Sequence, residues 1–235
     1  MAAIYLIRHG QASFGAEDYD KLSDLGCRQS SALGDYLAAC DIAFDAIYSG
    51  DLLRQRETAT LACEAQPREL ALQIDSRFNE IDNDAQLKYL VPEIIKTNEQ
   101  VRALMERGLK ASKDYQKVID AVFNYWVSPQ CKETRIQSWE DYSRDVREAL
   151  KDVMSEQGGG KTIGIFTSGG TIATAVAQVL GLTGAQTYQF YEPIFNCSVS
   201  QVFYSGKRVS LSYFNDHSFL QLLGSQRGEN LVSYR

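Results

Sequence analysis

The sequence predicts an α/β fold: a three-layer sandwich built on a mostly parallel central sheet, with an antiparallel edge hairpin and a helical insertion. Three observations predict it. Short apolar runs alternate with longer segments of helical periodicity, the pattern of a parallel sheet covered by helices. Two of the runs pass straight into polar turns that contain glycine, at residues 8–10 and 167–170. Near the C-terminus two strand-like runs flank Ser205-Gly206-Lys207, a hairpin turn.

The elements follow in order. Residues 2–7 form a short buried strand that ends in Arg8-His9-Gly10. Ser23 is an N-cap, and Leu25, Leu33, Tyr36 and Leu37 make the apolar stripe of a helix reaching about Cys40. Residues 46–48 are a second strand, after which Asp51 is placed to start a helix over 52–65. Residues 70–74 are a third strand. The stretch 82–130 is helix-like and rich in Tyr, Lys and Glu, so residues 83–137 are read as a helical insertion and not as a sheet element. Ser138-Trp139-Glu140-Asp141 is a capping box with Asp in the place of Glu, opening a helix to about Glu156. A strand over 162–166 leads through Gly169-Gly170 into a helix over 171–180. Strands over 197–204 and 208–213 close the fold. The chain has 235 residues, no repeat and no low-complexity linker, and its four prolines mark no boundary. At about 150 residues per domain, this is read as one domain, 1–235, carrying its insertion.

Composition excludes several functions. Hydrophobic residues make up 44% of the chain, enough for a sizeable core. The net charge of −6 disfavours a broad grip on nucleic acid, although it leaves room for a local basic pocket. Cys27, Cys40, Cys63, Cys131 and Cys197 are an odd number without CxxC spacing, so reduced and mostly buried thiols are expected. With only His9 and His217, no Cys/His cluster points to zinc. Residues 1–7 are too short for a signal-peptide core and lack a basic leader. The longest apolar stretch, 163–182, is broken by Thr167, Ser168, Gly169, Gly170 and Gln178, which fits a strand plus helix and not a membrane span. A cytoplasmic protein is the resulting expectation. The run Gly158-Gly159-Gly160-Lys161-Thr162 is not a phosphate-binding P-loop, because Ser155 stands where the pattern needs glycine and the run precedes a strand.

The chemistry concentrates where a parallel sheet binds ligands, outside the carboxyl ends of its strands. One strand end carries Arg8 and His9. Another opens into a helix whose first N–H groups and dipole favour an anion. A third feeds a helix with Arg54 near its start. Two arginine forks, one imidazole and a helix N-terminus suit a phosphate dianion.

These residues resemble the histidine phosphatase superfamily, which includes the phosphoglycerate mutases. Arg8-His9-Gly10-Gln11 after the first strand is similar to the family's opening motif. Leu22-Ser23, Gly26 and Gln29 resemble its first helix. Ser49, Leu52, Arg54 and Glu57-Thr58-Ala59 resemble its second arginine motif. Phe78-Asn79-Glu80-Ile81-Asp82 is similar to the catalytic-acid segment, and Phe166-Thr167-Ser168-Gly169-Gly170 to the late strand–turn–helix motif. Asn196-Cys197-Ser198 and Asn215-Asp216 resemble its closing strands. The likeness spans nearly the whole chain.

The resemblance implies that His9 is the nucleophile and forms a phosphohistidine, and that Arg8 and Arg54 hold the phosphoryl oxygens. Glu80 would protonate the leaving group and then activate water. Ser168 and Gly169 would complete the phosphate site. No metal and no cofactor is implied. The family usually has a second histidine where this chain has Ser168, a donor without charge. A phosphomonoester hydrolase is the expected function, its activity reduced by that exchange. A mutase-type phosphotransferase fits less well, because Gln11-Ala12-Ser13-Phe14-Gly15 lacks the Trp-Asn of glycolytic mutases. A phosphoester-binding protein with a degenerate site is the rival that Ser168 motivates. His217 is read as a strand-end histidine bonded locally, to Asp216, in preference to a substitute second histidine. Arg28 and Arg56 are read as solvated helix-face residues, and Glu17 and Asp18 as surface residues. Tyr89, Tyr115, Tyr125 and Trp126 are candidates to touch substrate, with packing of the insertion as their ordinary role. The expected partner is a small phosphorylated substrate, with no nucleic acid and no membrane. A homodimer could form through the final hairpin.

Overall fold

The computed structural model describes residues 1–13 and 20–234, so Glu17 and Asp18 lie outside the described residues. Its layering is set by alternation in the first strand, β1 (Ala2–Arg8). Ile4 and Leu6 enter one buried cluster, while Tyr5 and Ile7 enter another on the opposite face. Strands β2 (Ala46–Ser49), β3 (Leu72–Ile74) and β4 (Thr162–Thr167) join it in parallel. Strands β5 (Val199–Ser205) and β6 (Arg208–Asp216) add the antiparallel edge, in the order β3-β2-β4-β1-β5-β6. The three-layer α/β fold is therefore as the sequence predicts.

Helices α1 (Asp24–Ala39) and α2 (Leu53–Cys63) cover the Tyr5 face. The other face carries α3 (Asn83–Ile94), α4 (Glu99–Arg107), α5 (Ser112–Trp126), α6 (Trp139–Gln157) and α7 (Gly169–Val179). Helix α7 is buried from Gly169 through Ala177, as expected of a helix hydrophobic all round. Two helices escaped the sequence reading. They are α8 (Gly184–Tyr191), opened by a Thr183–Gln186 capping box, and α9 (Ser218–Arg227), which joins α1 and α2 on their face. Among the described residues no helix is long and apolar enough to cross a membrane.

Three local expectations change. Asp51 does not cap α2: the first residue of that helix, Leu53, donates its N–H to Asp20 Oδ2 at 2.8 Å, and Asp51 instead accepts from Asn79 Nδ2 at 2.5 Å. Asp141 is one methylene short of a full capping box, so its carboxylate takes the Ser138 hydroxyl at 2.8 Å, while Ser138 Oγ accepts from Asp141 N–H. The thiols are not mostly buried; Cys27 and Cys40 are exposed and only Cys197 is fully buried. Both exposed thiols lie on α1 or at its C-cap, outside the buried positions of that helix.

Candidate active site

The β1–β4 register brings Arg8 beside Thr167, and His9 N–H donates to Thr167 O at 2.9 Å. His9 and Ser168 thus leave the sheet side by side. The turn after His9 lies directly on α1. A Cβ at Gly10 would sit 2.6 Å from Gly26 O, and one at Gly26 would sit 2.2 Å from Gln11 O, so both positions require glycine. Gly10 N–H is held by Thr58 Oγ1 at 3.0 Å, and Gln11 N–H by Gln29 Oε1 at 2.9 Å. Cys197, at φ 55, turns the chain beneath this segment, and Asn196 Nδ2 donates to His9 O at 3.2 Å.

His9 is 5% exposed. Its Nδ1 lies 2.7 Å from Gly10 O, and a carbonyl can only accept, so Nδ1 carries the proton. Nε2 is then a bare acceptor, and Arg54 Nε donates to it at 3.2 Å. Burial holds the imidazole well below its ordinary pKa of 6.5, and the Arg54 and Arg8 charges push it the same way. The ring is therefore neutral, with its lone pair directed at an arginine.

Helix α2 explains how Arg54 arrives there. Its buried face is Arg54, Gln55, Thr58, Ala59 and Ala62, polar groups and small residues where a core helix would carry aliphatic ones. Asp20 Oδ1 pairs with Arg54 Nη1 at 2.5 Å while its other oxygen caps the helix. Arg8 Nη1 donates to Ile194 O, and also to Tyr234 O at 3.0 Å.

The opposite wall is the start of α7. Gly170 N–H donates to Glu80 Oε1 at 2.9 Å, and Ile81 N–H donates to the same oxygen at 2.9 Å. A Cβ at Gly170 would fall 2.3 Å from that oxygen, so only glycine admits the carboxyl. Burial raises the Glu80 pKa, against the pull of Arg54, the Ile81 N–H, Arg8 and the Gly170 N–H. Behind it, Tyr142 Oη and Thr171 Oγ1 bond each other at 2.9 Å, and Thr171 Oγ1 donates to Asn79 O at 2.7 Å. A cavity of about 310 Å³ opens beside Glu80, lined by Asn79, Ile81, Asp82, Trp126 and Tyr142 among others.

The family model that matches residues 4–217 is the histidine phosphatase superfamily, branch 1. The chain belongs to this superfamily. Solved structures of similar fold include a phosphoglycerate mutase from Bacillus anthracis, at 20% identity and TM-score 0.66, over 93% of this chain and 94% of that one. A phosphoserine phosphatase mutant from Entamoeba histolytica, in complex with phosphoserine, matches at 18% identity and TM-score 0.64, over 94% and 100%. A mycobacterial glucosyl-3-phosphoglycerate phosphatase complexed with VO3 matches at 20% identity and TM-score 0.64, over 91% and 98%. No curated protein matches the chain.

In this superfamily member, the residues singled out from sequence meet at one place. His9 touches Arg54, Glu80 closes on the start of α7, and a Cβ at Gly169 would lie 3.8 Å from Arg8 Nε. Ser168 is fully buried beside them. The others do not join. His217 lies outside these contacts, bonded through Nδ1 to Asn215 O at 2.9 Å and stacked on Phe195; Asp216 is not its partner, because that carboxylate takes Ser218 N–H at the start of α9. Arg28 pairs with Glu229, and Arg56 is exposed. Trp126 packs in an aromatic cluster with Phe123, Trp139 and Tyr142, while the Tyr89 ring lies under Arg135. Sequence reasoning missed Asp20 and Gln55. Asp20 carries no motif of its own, and Gln55 reads as an ordinary interior helix position.

Proposed function

We propose that the protein is a metal-independent phosphomonoester hydrolase that works through a phosphohistidine on His9. The observation that carries this reading is the neutral His9 imidazole, with Nδ1–H tied to Gly10 O and Nε2 facing Arg54. An arriving phosphate dianion takes over the Arg54 donors and frees the Nε2 lone pair. Nε2 then attacks phosphorus, and the P–O bond to the leaving alcohol breaks. Arg54 and Arg8 offset the charge on the transferring phosphoryl group. Glu80, whose pKa burial raises, gives its proton to the departing alkoxide. Its carboxylate next takes a proton from water, whose oxygen attacks the phosphohistidine. The P–N bond breaks, inorganic phosphate leaves, and His9 returns neutral. Ser168 and Gly169 line the phosphate position at the head of α7. The leaving group extends towards α3–α5 and the cavity beside Glu80. The substrate is a small phosphorylated molecule, and phosphoserine and phosphoglycerate esters are the first to try, since related proteins are named for them.

The rival reading, a phosphoester-binding protein with a degenerate site, draws on the uncharged Ser168. One experiment separates the two: phosphate release from an aryl phosphate across roughly pH 5–8 without added metal, for the wild type and His9→Ala. The hydrolase reading expects release that falls by on the order of 10³ or more in His9→Ala. Equal rates for the two proteins would remove His9 from the mechanism.

A further inference from the structure

Gln55 is fully buried on α2, and its amide faces two groups. Nε2 lies 3.1 Å from Phe78 O and 2.8 Å from Ser168 Oγ. The first contact fixes the amide's orientation, because a backbone carbonyl can only accept and so must face the NH₂ end. That orientation persists although it leaves Oε1 without a hydrogen-bond partner among the described residues. The second contact then has only one polarity: Gln55 donates and Ser168 Oγ accepts. The Ser168 proton is left to point elsewhere. It does not cap α7, whose N-cap is Ser168 with no side-chain capping bond. The hydroxyl stands next to His9 across the β1–β4 pairing and two residues before the N–H that holds Glu80.

We propose that Gln55 is a positioning residue for phosphate: by donating to one lone pair of Ser168 Oγ it turns the serine proton away from α2, to be given to a phosphoryl oxygen at the head of α7. This inference rests on the proposed phosphate site. It assigns the corner beside His9 to a neutral donor pair, drawn from two elements 113 residues apart in sequence. Held by Gln55, the serine hydroxyl meets the anion already oriented, which is where a buried donor gains most over one in water.

The test is a double-mutant cycle on the affinity for inorganic phosphate, measured by calorimetry, with kcat/KM for an aryl phosphate alongside. Ser168→Ala is expected to weaken phosphate binding about tenfold or more, the usual cost of a lost bond to a charged group. Gln55→Leu is expected to weaken it several-fold in the wild-type background and less than about twofold in the Ser168→Ala background. Gln55→Met, closer in length, serves if Gln55→Leu does not fold, and a melting temperature for each variant separates loss of fold from loss of orientation. Wild-type affinity in Ser168→Ala would overturn the proposal. So would a Gln55 effect of the same size in both backgrounds, which is what a merely structural role predicts. Phosphate binding by a wild type that never phosphorylates His9 would refute the hydrolase reading and leave this inference standing. Phosphohistidine formation with an unchanged Ser168→Ala would do the reverse.

Discussion

The two walls of the site hold their polar groups by opposite means. On the α2 wall a full charge is pinned by another full charge: Arg54 is set against Asp20, and the same carboxylate anchors the helix start. On the α7 wall the pins are backbone N–H groups and neutral side chains, with Glu80 on Gly170 and Ile81, and Ser168 on Gln55. The difference has a chemical reason. On the proposed mechanism the α2 wall meets the incoming phosphate dianion, which calls for a fixed cation. On the same mechanism the α7 wall carries the proton donor, and a cation at position 168 would lower the Glu80 pKa further, as Arg54 and Arg8 already do. A neutral donor there would serve both the phosphate and the acid.

The largest effect that probes this contrast comes from Glu80→Gln. It should cost on the order of 10²–10⁴ in kcat on an alkyl phosphate, whose alkoxide needs a proton, and much less on a nitrophenyl-type ester, whose anion leaves unaided. Equal losses on both substrates would deny Glu80 the proton-donor role. The pH profile has the corresponding shape. Activity is expected to fall as pH drops through the lowered His9 pKa, which removes the lone pair, and to fall as pH rises through the raised Glu80 pKa, which removes the donor proton.

A smaller effect tests the α2 wall. Asp20→Asn keeps an oxygen to cap Leu53 but loses the charge that sets Arg54, so kcat/KM should fall about tenfold with stability nearly unchanged. Asp20→Ala should lose the same activity and, in urea unfolding, a further 0.5–2 kcal/mol or so for the cap. If the two variants were equally stable, the capping role would be wrong.

The smallest effect is on stability. The folded state holds His9 neutral, with its pKa below the ordinary 6.5. That contribution is present above about pH 6.5 and is lost as pH falls through the lowered folded value. His9→Gln should therefore unfold with a shallower loss of stability between neutral and acidic pH than the wild type. Identical slopes in denaturant titrations would contradict a buried neutral imidazole.

Much of this was legible in the residues. Alternating strands and helices announced the sheet, and His9, Arg54 and Ser168 stood at strand ends or helix starts where a parallel sheet gathers its ligands, while Glu80 was legible only through the family resemblance of its segment. What escaped was whatever acts across space without local punctuation. Asp20 precedes the first helix and caps the second. Gln55 sits one residue after Arg54, on a helix whose buried face is polar, so hydrophobic periodicity had nothing to report there. Helices α8 and α9 are short, and α9 begins two residues after β6, so its start signal was absorbed into the strand end.

The central claim is that His9 Nε2 forms a bond to phosphorus. The direct measurement is to quench the protein with alkali during turnover of a phosphomonoester and locate the label by mass spectrometry, since phosphohistidine survives base and phosphoserine does not survive it well. The account predicts one phosphate on His9, accumulating further in Glu80→Gln when that variant slows the hydrolysis of the intermediate, and none in His9→Ala. Release of phosphate by the wild type with no label on His9 at any time point, in either the wild type or Glu80→Gln, would contradict it.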